Sequence, residues 1–185
     1  MKKWLKWLLI TIGALLVALL IYFIVKQSLR EEAVLTFPDT VVVQNATEFK
    51  EVDKVLKAIS YYVLDYDTIS IAVAKMPKHM ENVGDLELKA FVYKNIFFDD
   101  AYLIFISSNL KLSEYKRVMS HEMAHIKQME EGDLIQPKDL SAPYVIYKGD
   151  TINFHEVPYD KRPHEIDANK QETHIYKELD KVLYK

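Results

Sequence analysis

The chain opens with one uninterrupted apolar run and then breaks into alternating and helically spaced apolar positions. Trp7 to Val25 (WLLITIGALLVALLIYFIV) carries no charge, and that length spans a hydrocarbon core about 30 Å thick. Trp4 and Trp7 suit one membrane interface and Tyr22 the other. The length of the run, and the lack of an A-x-A-like site before Lys26, favour an uncleaved anchor over a signal peptide. Beyond it, Thr40 to Val43 reads as a short extended piece. Phe49, Val52, Val55, Leu56, Ile59 and Tyr62 recur at helical spacing and predict a helix over 48–63, capped by Thr47. Thr68 to Ala74 is rich in β-branched residues. Leu86 to Tyr93 alternates, and Ala101 to Ile106 is almost wholly apolar, as expected of a strand covered on both faces. Tyr115, Val118, Met119, Met123, Ile126 and Met129 form the stripe of a helix over 113–131, with Ser113 as cap and Gly132 as stop. Residues 132–143 read as loop. Tyr144 to Tyr147 and Thr151 to Phe154 flank Gly149-Asp150 as a hairpin, and Pro163 opens a final helix over 161–183.

This order predicts an α+β domain. A small mixed sheet packs on the 113–131 helix, and a second helix closes over it. The domain plan is residues 1–30 as an N-terminal transmembrane anchor and 31–185 as one folded body. Charge sharpens that division. Residues 1–30 hold five basic residues and no acid, whereas 31–185 hold 19 basic and 27 acidic residues, a net −8. So acidic a body is a poor partner for nucleic acid. Lys2, Lys3 and Lys6 outweigh Lys26 and Arg30 by position, so the positive-inside rule puts the N-terminus in the cytoplasm and the body outside. The chain has no cysteine, which agrees with a disulfide-free extracytoplasmic domain.

The chemistry concentrates in His121-Glu122-Met123-Ala124-His125. Residues four apart on a helix share one face, one turn apart. Two imidazoles there can grip one Zn²⁺ at about 2.0–2.1 Å each. The intervening glutamate is no ligand but can take a proton from a coordinated water. Both histidines lie beside the apolar stripe and therefore face inward, where unpartnered polar groups are costly.

A catalytic zinc site uses three protein ligands, so a third must come from later sequence. Arg162 to Asn169 is the best source, with His155, His164, Asp167 and His174 as rivals. The H-E-x-x-H-x-x-G-x-x-H pattern that would supply a third histidine is absent. Asp167 falls on the far side of a helix from Glu165, and His164 and His174 read as surface residues.

With its HExxH motif and its E-x-x-x-[DN] spacing at Glu165 and Asn169, residues 100–175 resemble the zincin-like metallopeptidases of the glutamate-ligand type, the gluzincins. The run Pro158 to Glu165 also resembles a tract in small bacterial and phage HExxH proteins, where Y-x-x-R-P-x-E-x-x-A follows the histidine helix. The resemblance implies Glu165 as third ligand and Asn169 as the residue that orients a histidine. Ala168 is then the small residue that lets the two helices approach. It further implies peptide hydrolysis in which Zn²⁺ on His121, His125 and Glu165 activates water and Glu122 acts as general base. A peptide or protein substrate would lie along a sheet edge, for which Leu86 to Tyr93 is the candidate. Tyr159, Arg162 and His155 are candidate oxyanion donors. The rival expectation is a membrane-tethered zincin-fold module that binds a partner without cleaving it.

Overall fold

The computed structural model describes residues 35–184 apart from 81, 84–85, 96–97, 99, 112 and 140–141. Its β-branched and aromatic runs pair into a four-stranded sheet. In chain order its strands are β1 (Val41–Asn45), β2 (Ile69–Lys75), β5 (Ala90–Lys94) and β6 (Ala101–Ile106). Between β2 and β5 lies a small antiparallel pair, β3 (Asn82–Val83) and β4 (Leu86–Glu87). In space the large sheet runs β1-β2-β6-β5. The first three strands are mutually parallel and β5 is an antiparallel edge.

Side chains alternate across this sheet, and one face is packed. Val73, Ile104 and Val92 sit side by side in register and are buried. Tyr102, Ile104 and Ile106 of β6 point the same way, while Ala101, Leu103 and Phe105 remain half-buried on the other face. The expectation that β6 is covered equally on both faces is corrected by this alternation. Two helices pack on the sheet, α1 (Val52–Ala58) at β1 and α2 (Tyr115–Glu130) at β5, and α3 (Pro163–Leu183) packs on those two helices. Truncating a residue such as Ile104 in this layer costs about 2–5 kcal/mol.

Local chemistry sets the element ends. α1 starts at Val52, later than its apolar period suggests, because Asn45 and Thr47 build a turn ahead of it, with Asn45 Oδ1 accepting from Thr47 N–H at 2.9 Å. It ends in a π turn over Ile59–Val63, which leaves Tyr62 exposed rather than in the core. α2 is stopped at Gly132, whose φ of +76° suits a residue without a Cβ. The chain then enters a three-stranded antiparallel sheet of β7 (Leu134–Ile135), β8 (Tyr144–Tyr147) and β9 (Asp150–Asn153). β7 lies inside the stretch expected to be loop. Lys148 and Gly149, both at positive φ, make the β8–β9 turn. Leu35–Leu183 gather as one unit.

The transmembrane part of the expected architecture requires correction. Trp7 to Val25 lies outside the described residues, and among those described no helix is long and apolar enough to cross a membrane. The longest, α3, has 21 residues but carries Glu165, Asp167, Lys170, Glu172, Lys177 and Asp180, a charge load incompatible with lipid. The assignment of a cytoplasmic N-terminus and an extracytoplasmic body rested on that anchor and falls with it. What stands is a mixed α+β fold.

Candidate metal centre

α2 and α3 pack against each other, with Ala168 fully buried between neighbouring turns. Its small side chain lets α3 bring Glu165 up to the histidine face of α2. His121 Nε2 and His125 Nε2 are 3.1 Å apart. Glu165 Oε2 lies 3.3 Å from the first and 3.4 Å from the second. A tetrahedral ion with bonds of about 2.0–2.1 Å needs ligand atoms separated by about 3.3–3.4 Å. The triangle therefore has the dimensions of one face of such a coordination sphere.

The outer partners fix which ring atoms face inward. Gln128 Nε2 donates to the His164 carbonyl at 2.9 Å and to Asp167 Oδ2 at 3.0 Å. Its Oε1 is thereby turned to His125 Nδ1, 2.9 Å away, and must accept from an Nδ1–H. On the other histidine, Nδ1 faces Glu172 Oε2 at 3.3 Å, again an acceptor. Both rings then carry their proton on Nδ1 and aim an Nε2 lone pair at the same point. Glu165 Oε2 is buried there without a hydrogen bond. Two lone pairs and a carboxylate oxygen converging there call for a positive charge, which a metal ion or a proton can supply. His121, His125 and Glu165 form a group that can bind a metal ion.

Electrostatics agree. Burial disfavours a charged His121, yet Glu165, Glu172 and Glu122 outweigh it and hold the ring up at about 10. Burial likewise opposes charge on Glu165, but His121, His125 and His164 keep its carboxyl far below the usual range. Without metal, a proton supplies the positive charge the site demands. Glu122 behaves differently. Burial raises its carboxyl, only partly offset by His121 and His125, and its Oε2 is buried without a hydrogen-bond partner.

Several expectations are revised by this geometry. Asn169 is exposed, and among the described residues its side chain bonds neither histidine. The orienting roles belong to Glu172, two turns beyond Glu165, and to Gln128. Glu172 is itself held by Arg117 Nε. Asp167 is no ligand, but it anchors Gln128 and accepts from Gln171 Nε2 at 2.7 Å. His164, expected at the surface, is buried and sits with Nε2 3.4 Å from Glu165 Oε1. His155 and His174 are exposed. Spacing alone could have raised Gln128 and Glu172, each seven residues beyond a ligand and so on the same helix face.

The three oxyanion candidates also separate. Arg162 is committed to the backbone, with Nε donating to Val157 O at 3.1 Å and its Cζ 4.3 Å from the Phe154 ring centre. Tyr159 reaches the centre: burial, then Glu165 and Glu122, hold its phenol well above the usual range, so it stays a donor. A cavity of about 850 Å³ runs along β5, and another of about 610 Å³ extends toward Glu114 and Arg117. They share Leu88, Ala90, His121, Glu122 and Tyr159, so His121 and Glu122 sit where two halves of one trough meet, with His125 and Glu165 lining the larger half.

No protein-family model matches the chain, and no curated protein or solved structure is detectably similar to it.

Proposed function

We propose that this chain is a zinc-dependent metallopeptidase of the glutamate-ligand zincin type, with His121, His125 and Glu165 as ligands and Glu122 as general base. The observation that carries this reading is the convergence of three lone-pair atoms at tetrahedral spacing beside the buried Glu122 carboxylate, whose Oε2 has no hydrogen-bond partner. Two imidazoles and a carboxylate suit zinc.

Zinc bound there would lower the pKa of a water toward neutrality and polarise a carbonyl. Glu122 contributes a carboxyl pushed upward by burial, which suits a group that takes a proton from the attacking water and returns it to the leaving amine. Tyr159, kept protonated beside Glu165, supplies an O–H to the oxygen that gains charge as the carbonyl becomes tetrahedral. Glu172 and Gln128 keep the two rings in one tautomer and orientation. A peptide substrate is favoured because β5 is a sheet edge running along the trough.

The test is Glu122→Gln. It is expected to bind zinc as tightly as the wild type and to lose about 10²–10⁴-fold in peptide hydrolysis. Cleavage at the wild-type rate would remove Glu122 from the reaction.

A further inference from the structure

The edge of β5 is not wholly open. Its odd-numbered residues bond inward to β6, as the contacts Ser107 N–H to Lys89 O at 2.9 Å and Asn95 N–H to Ala101 O at 2.7 Å show. The peptide groups of Ala90, Val92 and Lys94 therefore face outward, into the trough. Two of those groups are already taken by one side chain. Gln136 Nε2 donates to Val92 O at 2.8 Å, and Lys94 N–H donates to Gln136 Oε1 at 3.1 Å. A primary amide offers one donor and one acceptor at about the spacing a neighbouring strand would present. Gln136 thus stands in for a strand residue. It follows directly on β7 and lines the same cavity as His121, Glu122 and Glu165.

We propose that Gln136 is a stop on the substrate track, setting how much peptide fits on one side of the metal centre. This rests on the metallopeptidase reading and specifies its substrates. Leu88 and Ala90 border the trough level with His121 and Glu122. Short of Gln136, the groups left for pairing are Ala90 N–H, Ala90 C=O and Val92 N–H, none of them partnered among the described residues, while Lys94 C=O lies beyond the amide. Ala90 to Val92 is a rise of about 7 Å, or about two residues of extended peptide. A substrate paired with β5 therefore has room for about two residues before it meets Gln136. The other half of the trough, toward Arg117, is lined by one primary amide, Asn169, and among the described residues it bonds no peptide group of β5. The favoured substrates are peptides cut close to a chain end or a bend on the Gln136 side, with a longer arm on the other.

The experiment uses the full chain loaded with zinc and two series of alanine–leucine peptides of one to four residues. One series carries a C-terminal hydroxamate, the other an N-terminal succinyl hydroxamate, so each anchors at the metal and extends in one direction. Binding is measured for wild type, Gln136→Ser and Gln136→Glu. In one series, wild-type affinity is expected to stop improving after the second residue. Gln136→Ser is expected to gain about three- to tenfold for the next paired residue. Gln136→Glu, which can accept from Lys94 but cannot donate to Val92, is expected to fall between them. Unchanged zinc affinity in both variants reports an intact fold. Identical length profiles in all three proteins would overturn the proposal, as would improvement past two residues in both wild-type series, or no binding at any length. Repeating the series in Glu122→Gln separates the two claims. A length limit that moves with Gln136 in a wild-type chain that cleaves no peptide would reject hydrolysis and keep the stop.

Discussion

The two histidines of the candidate metal centre are one helical turn apart yet are held by opposite kinds of chemistry. His125 is backed by a neutral amide in a dry interior: Gln128 is fully buried and tied to a backbone carbonyl and to Asp167. His121 is backed by a charged relay that reaches solvent, since Glu172 is gripped by Arg117, whose side chain is 70% exposed. The same orienting task is done once by geometry that water cannot reach and once by charge that salt can screen. The buried side belongs to the fold, and the charged side can be tuned with little effect on it.

The strongest way to break this contrast is Gln128→Leu. It strands His125 Nδ1–H and takes one donor each from the His164 carbonyl and the Asp167 carboxylate, an expected loss of about 2–4 kcal/mol in denaturant unfolding. Zinc affinity should drop by about 10–100-fold in the same variant. Glu172→Ala should match that affinity loss in a zinc titration while lowering the unfolding midpoint by less than the glutamine variant does. If it unfolds the chain as readily as the glutamine variant does, the two supports are not different in kind. Arg117→Gln should be smaller still, a few-fold weaker zinc binding at low ionic strength that vanishes in high salt. An effect independent of salt would contradict the relay.

A pH titration sharpens the same contrast without mutation. His121 rises from an ordinary 6.5 to about 10 because Glu165 and Glu172 outweigh its burial. Its contribution to the metal-free fold is therefore full below 6.5 and lost as pH climbs to about 10. Glu165 is displaced below its ordinary 4.5, so its contribution is present above 4.5 and fades as pH falls further. Thermal unfolding of the metal-free chain should decline between pH 6.5 and 10, and Glu172→Ala should flatten that decline. Equal slopes in both proteins would dissociate the raised ring from the relay.

What the sequence made legible follows from the range of each interaction. α2 could be read because its stripe, its HExxH spacing and Gly132 are all local signals. The β8–β9 hairpin and the Pro163 start of α3 were local too, whereas Glu165 was singled out from its rivals only by the family resemblance carried by Glu165 and Asn169. The sheet order was not legible, because inserting β6 between β2 and β5 is decided by long-range pairing that leaves no period. The supports of the site escaped for the same reason. Gln128 meets Asp167 across 39 residues and Arg117 meets Glu172 across 55, so nothing in either helix alone marks Glu172 over Asn169. His164 was misplaced because a polar residue at a helix start usually faces water, whereas here it packs among His125, Tyr147 and Phe154. The apolar run at Trp7 to Val25 is local as well, but it lies outside the residues described.

The central claim is that one zinc ion is held by His121, His125 and Glu165. Zinc-edge X-ray absorption on the chain loaded with one equivalent tests it most directly. The account predicts a four-coordinate shell with two imidazole nitrogens and oxygen donors at about 2.0–2.2 Å, reduced to one imidazole in His125→Ala. A shell of oxygens without imidazole scattering, or one unchanged in His125→Ala, would contradict it.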